Sequence, residues 1–174
     1  MESMGSMRHR VEGGNLLVLE REFSAPREKV FEMFADNEHL KQWWGPRGWE
    51  LPYSNLDFRP GGTWHYGMKG MDQTKPETYG MESWGKAIFR EIDRPNRIVY
   101  TDFFSDEQGN ESTQLPPSTT TIDFVDMGNG GTRLVNRTEY PTDKDLQEIL
   151  EMGLLGGIAE TWDRLEEYLG QQDR

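Results

Sequence analysis

The chain of 174 residues has the length of one domain, carries 19 basic against 31 acidic side chains for a formal charge of −12, and contains no cysteine. The acidic balance argues against nucleic acid and anionic lipid as partners, and the missing thiols exclude disulfides, thiolate metal sites and cysteine nucleophiles. Only 34% of residues are hydrophobic, yet 6 Trp, 8 Phe, 6 Tyr and 9 Met supply more bulky apolar groups than a disordered sequence holds, so an aromatic-rich core is expected.

Residues 1–14 are polar, interrupted by Met and Gly, and without periodicity, which predicts a disordered tail ahead of a single domain over 15–170. No apolar run approaches the roughly 20 residues of a membrane span, and no apolar signal core stands at the start. A cytoplasmic location without membrane insertion is the expectation.

The segment 15–23 places Leu17, Leu19 and Phe23 on one face and Glu20 and Glu22 on the other, the period of a strand. Ser24 as a cap and Pro26 in the first turn predict a helix that carries Val30, Phe31 and Phe34 on one face. Asp36 is expected to open a second short helix that buries Leu40, Trp43 and Trp44 and stops at Gly45-Pro46. Strand-like runs follow at 48–56, 62–69, 79–92, 96–104, 118–127 and 131–140. Arg59-Pro60-Gly61-Gly62, Asp93-Arg94-Pro95-Asn96 and Gly128-Asn129-Gly130-Gly131 read as turns between them. Together with the first strand they predict an antiparallel sheet of about seven strands. Two polar loops, 69–79 and 105–117, are longer than hairpins need, a length at which loops are functional or simply mobile.

Thr142, with Asp145 three residues on, opens a last helix expected to run to about Leu169. Leu155, Ile158, Trp162, Leu165 and Leu169 follow a 3-4-3-4 spacing, so one continuous stripe faces the sheet. Gly153, Gly156 and Gly157 each cost this helix about 1 kcal/mol relative to Ala. Two explanations stand side by side: the backbone approaches the sheet closely there, or the helix bends and leaves space that becomes the wall of a cavity.

The ordered motifs Phe23-Ser24-Ala25-Pro26 with Val30-Phe31, Leu40 to Pro46 with its Trp43-Trp44-Gly45-Pro46 ending, Phe58-Arg59-Pro60-Gly61-Gly62-Thr63-Trp64, and Gly85 with Phe89, Glu91, Ile92, Pro95 and Ile98 carry a resemblance. Gly131-Thr132 and Gly157 with Trp162 and Leu165 extend it. The chain resembles the START-like, birch-pollen-allergen-like (SRPBCC) superfamily, and within it the branch named for the activator of the heat-shock-protein-90 ATPase, over residues 15 to 169. The resemblance implies an α+β helix-grip fold: a curved antiparallel sheet, two short N-terminal helices and a long C-terminal helix. It also implies an apolar cavity between sheet and helix, since some members bind lipids, hormones or polyketides and a few catalyse cyclisation or hydrolysis. The co-chaperone that names the branch has a further N-terminal domain that contacts the chaperone, where this sequence has a short segment.

The three histidines, His9, His39 and His65, have no metal-ligand spacing, and no phosphate-binding glycine motif, dinucleotide fingerprint or nucleophile elbow is present. No metal, cofactor or catalytic residue is assigned. Trp64, Tyr66 and Met68 share one strand face, Trp84 and Ile88 a second, and Ile98, Tyr100 and Phe104 a third; such a surface lines a pocket or simply fills the core. The expected ligand-binding set is Trp44, Trp64, Tyr66, Trp84, Tyr100 and Phe104 from the sheet side, with Met152 and Gly156 from the helix. Asp102, Arg137 and Glu139 are charged strand positions expected on the solvated convex face; an inward Arg137 would instead recognise a ligand carboxylate.

Three functions follow in order. The first is binding or carriage of a small hydrophobic or aromatic molecule that enters near Trp44 or the 69–79 loop. The second is a protein-interaction, chaperone-associated module using an exposed patch around Trp43, Trp44 and Trp49. The third is an enzyme acting on a hydrophobic substrate with His65 as general base, oriented by Asp102 or Glu139.

Overall fold

The computed structural model describes residues 2–172 and forms one curved, unclosed antiparallel sheet of nine strands with four helices. In chain order the strands are β1 (Glu2–Met4), β2 (Met7–Glu12), β3 (Leu16–Phe23), β4 (Trp49–Leu56), β5 (Thr63–Gly70), β6 (Glu82–Asp93), β7 (Arg97–Ser105), β8 (Ser118–Asp126) and β9 (Thr132–Glu139). The helices are α1 (Arg27–Ala35), α2 (Asn37–Trp43), α3 (Asp143–Glu151) and α4 (Leu154–Gln172). The sheet order is β1-β2-β3-β9-β8-β7-β6-β5-β4, so β4 to β9 form a meander and β3 returns to pair with β9.

The helix-grip expectation holds, and the two additional strands account for the difference in number. They come from the segment expected to be disordered. Residues 2–12 instead form a hairpin whose second strand pairs with β3, from Arg8 opposite Glu20 to Glu12 opposite Leu16. The backbone of β3 has a free edge once β9 covers the other, and an unpaired edge is satisfied by any strand that reaches it. Met7 adds a fully buried side chain. Neither the polar composition nor the short runs of the segment announced this pairing.

The core lies on the concave face. Leu17, Leu19 and Phe23 of β3, Phe124 of β8 and Leu134 of β9 meet Val30 and Phe31 of α1, Leu40 and Trp43 of α2 and Leu165 and Leu169 of α4, all buried. Phe31 stacks edge-on against Phe124 (5.0 Å) and Phe23 against Trp162 (6.2 Å), the arrangement that aligns ring edges with ring faces. Asp36 caps α2 by accepting from the amides of Glu38 and His39. Ser24 does not cap α1: Pro26 occupies that position without a side-chain bond, and the Ser24 amide donates to Glu166 of α4.

The C-terminal helix is not continuous. Thr142 caps α3 by accepting from the Asp145 amide, but the helix stops at Met152 and Gly153 adopts φ +87°. A left-handed residue cannot continue an α-helix, and glycine adopts this conformation without Cβ strain. The chain re-enters a helix at Leu154, so the expected single element becomes two.

Candidate functional site

The break between α3 and α4 decides between the two readings of the glycines. A Cβ at Gly153 would meet no atom within 4 Å, and at Gly157 the nearest atom is Pro46 Cγ at 3.6 Å. The glycines do not mark a close approach to the sheet. Gly153 marks a bend beside open space: a cavity of about 400 Å³ lies between the sheet and the α3–α4 junction, lined there by Met152, Gly153, Leu154, Gly157 and Ile158. Trp162, one turn further along α4, packs on Phe23 and closes the far end.

The opposite wall is the Trp44-Gly45-Pro46 segment that ends α2. Arg164 of α4 holds it by donating from Nη1 to the carbonyls of Gly45 (2.7 Å), Pro46 (3.3 Å) and Trp49 (3.2 Å). The Gly45 carbonyl follows the end of α2, the Pro46 carbonyl also accepts from the Trp49 amide (3.0 Å), and Trp49 opens β4, so one guanidinium ties the mouth of the cavity to α4. The sequence reading missed Arg164. In the sequence it is one of several charged residues between the stripe positions, with Asp163, Glu166 and Glu167, and nothing sets it apart.

The floor is the sheet. Because i, i+2 and i+4 share a face of a strand, Tyr100, Asp102 and Phe104 of β7 point into the cavity together with Tyr66 and Met68 of β5 and Ser118, Thr120 and Ile122 of β8. Tyr66 pairs with Gly85 and Gly85 with Phe104 across three strands. Gly85 has no side chain to occupy that row, and a Cβ there would overlap the Tyr66 hydroxyl. Tyr66 therefore lies across β6 and directs its hydroxyl at Asp102 Oδ1 (3.4 Å). Thr120 and Thr138 share a hydrogen bond (2.9 Å), and Asn136 donates to Thr138 (3.0 Å). The floor is thus a polar strip between apolar walls.

Asp102 is the charged residue of this lining; no Lys, Arg, His or Glu borders the cavity among the described residues. Burial pushes its carboxyl up to about 7, although the Tyr66 hydroxyl and the Phe103 amide pull the other way. Burial and then the Asp102 charge raise the Tyr66 phenol well above its ordinary range, and the same two causes push Tyr140 up to about 12. The phenols therefore remain hydrogen-bond donors at neutral pH.

Several expected residues stand elsewhere. Trp44, Tyr66, Tyr100, Phe104 and Met152 border the cavity, the last at its rim with 62% of its surface exposed. Trp64 stacks behind Tyr66 (4.1 Å) and donates to Ser54, so it supports the site without lining it. Trp84 borders the cavity at the strand edge, but its indole crosses to the convex face, where it lies over Gly67 and beside Tyr53 (5.5 Å) and His65 (5.3 Å). Gly156 faces Met4 of the N-terminal hairpin, not the cavity.

The convex assignment of Asp102 is overturned, while Arg137 pairs with Asp123 (3.4 Å) and Glu139 is exposed. His65 sits on the convex face and donates from Nε2 to the Asp106 carbonyl (3.0 Å). The proposed orienting pair of His65 and Asp102 is divided by the sheet. The 69–79 loop contributes no lining residue, whereas Pro116 of the other long loop does. No described group of three or more His, Cys, Asp or Glu residues has an arrangement that holds a metal ion, and no described helix is long and apolar enough to cross a membrane.

The family model for Activator of Hsp90 ATPase homolog 1-like protein matches residues 24–170. This chain belongs to that family. The match runs from α1 into α4 and contains every residue that lines the cavity except Leu17 of β3. Among solved structures, protein Ms6760 of Mycobacterium smegmatis is similar at 29% identity with a TM-score of 0.82, covering 93% of this chain and 95% of that one. A protein of Arthrobacter aurescens shares the fold at 24% identity and TM-score 0.83 (94% and 91% covered), as does the AHSA1 protein of Silicibacter pomeroyi at 23% and 0.68 (90% and 99% covered). No curated protein matches the sequence.

Proposed function

We propose that this member of the AHSA1-like family binds a small, largely apolar molecule in the cavity between sheet and helix. The observation that carries this reading is the unfilled space of about 400 Å³ itself. A core that existed only for stability would be packed at crystal density, and a void of this size costs stability. Its volume falls within the range of small-molecule sites, and its mixture of aromatic walls with a few convergent polar groups is what such sites use for affinity and orientation.

The protein-interaction reading has weaker support, because its aromatic patch is not exposed. Trp43 is fully buried and donates to the Met33 carbonyl, and Trp44 and Trp49 are half-buried. The enzymatic reading loses its named base with His65.

The test is fluorescence of the neutral dye Nile red, with Ile158→Trp filling the helix wall and Tyr53→Ala altering only the convex face. Saturable binding that Ile158→Trp abolishes and Tyr53→Ala leaves intact supports the reading, provided circular dichroism shows both variants folded. Equal binding to the filled variant, or none to the wild type, removes it.

A further inference from the structure

Within the proposed ligand cavity stands a carboxyl group with no cationic partner. Asp102 receives one long hydrogen bond from Tyr66 and the support of the Phe103 amide, and the other groups around it are the neutral Tyr100 of β7, Ser118 and Thr120 of β8 and Tyr140 after β9. Across β6 its neighbour is Ala87, and across β8 it is Ser118. No lysine, arginine or histidine borders the space from α2, α3, α4 or any strand among the described residues. Burying a carboxylate in this way is unfavourable unless a counter-charge arrives.

The surrounding side chains suit a cation. The rings of Trp44, Tyr66, Tyr100, Phe104 and Trp162 border the same cavity, and aromatic faces attract ammonium groups while offering nothing comparable to an anion. The formal charge of −12 acts in the same direction at long range, raising the local concentration of cations and repelling carboxylates. A hydrogen-bonding neutral ligand would need Asp102 only as one polar group among several. It would leave the absence of any basic lining residue without consequence.

We propose that the ligand is an organic ammonium, an apolar or aromatic body whose cationic nitrogen pairs with Asp102 on the cavity floor. This rests on the ligand-binding reading of the same cavity and specifies its occupant. The pairing favours the ionised carboxylate, so binding displaces the proton that burial holds on Asp102 near neutral pH. The proton leaves to the buffer and the ligand nitrogen keeps its own.

The experiment uses the full chain and three indoles of nearly the same shape: tryptamine, its uncharged analogue tryptophol, and the anion indolepropionate. Each is titrated calorimetrically and by displacement of Nile red. The expected order is tryptamine at least about tenfold tighter than tryptophol, a difference of about 1.4 kcal/mol, with indolepropionate weakest. Asp102→Asn should reduce tryptamine to the level of tryptophol, whereas Tyr53→Ala on the convex face should leave the order of the three indoles unchanged. Near pH 7 the tryptamine heat should vary with the ionisation enthalpy of the buffer, as proton release requires, and lose that dependence in Asp102→Asn.

Dye binding with equal affinity for tryptamine and tryptophol would overturn the ammonium assignment while leaving the cavity's binding role standing. Failure of the dye and all three indoles would overturn both. A wild-type preference for tryptamine that survives Asp102→Asn would assign the cation to another group and refute the role of this carboxylate.

Discussion

Replacing Asp102 with asparagine tests the electrostatics of the site without any ligand. The carboxyl is raised from 3.8 to about 7 by burial, so the folded protein binds a proton more tightly than the unfolded chain does. Between those values the native state carries more protons, and stability falls as pH rises; the loss is complete above about pH 7. At about 1.4 kcal/mol per tenfold change in proton affinity, the difference amounts to at most about 4 kcal/mol. It is smaller to the extent that water in the cavity solvates the carboxylate. Asparagine keeps the shape and carries no charge at either pH. Urea unfolding of both proteins at about pH 4, 6 and 8 should therefore show Asp102→Asn near or slightly below wild type at the acidic end and more stable by up to several kcal/mol at the alkaline end. A difference that stays constant across this range, or one that favours the wild type increasingly at high pH, would refute the account of a half-buried carboxyl without a cationic partner.

Gly85→Val should drive the Tyr66 ring from its position over β6. Trp64 stacks on that ring and limits its retreat, so denaturation should show a loss of about 1 to 3 kcal/mol, as overpacking commonly costs. Deleting residues 1–12 removes β1 and β2, uncovers the edge of β3 and exposes the site filled by Met7. The truncated chain should melt several degrees lower and gain a tendency to self-associate, readable by calorimetry and light scattering; an unchanged melting temperature would return this segment to the status of a dispensable tail.

Much of the site was legible once strand parity was followed through. Tyr100 and Phe104 were read onto one face of their strand, and the same two-residue period obliges Asp102 to share it. The preference for keeping charge in water suggested the opposite, but the alternation is geometric and a side chain cannot leave its face. For β6 the sequence offered no such anchor. Trp84 looked like the lining residue, yet the buried set is Gly85, Ala87 and Phe89. Small residues at two of those positions concealed the inward face, because Gly85 is there to admit Tyr66 from the neighbouring strand.

The amino-acid sequence by itself determined the order of elements, the caps at Asp36 and Thr142, the hairpin turns and the apolar stripe from Trp162 to Leu169, because these depend on contacts within a turn or two of the chain. It also carried the family through an ordered series of motifs. Tertiary structure alone decided that residues 2–12 complete the sheet, that the last helix divides at Gly153, and that the space beside the break is open and not packed. Each of these depends on what a distant segment places opposite: an unpaired strand edge, the wall at Pro46, and the floor of β5, β7 and β8. A glycine records only that a side chain is absent, and the fold decides whether that absence brings two backbones together or leaves room for a guest.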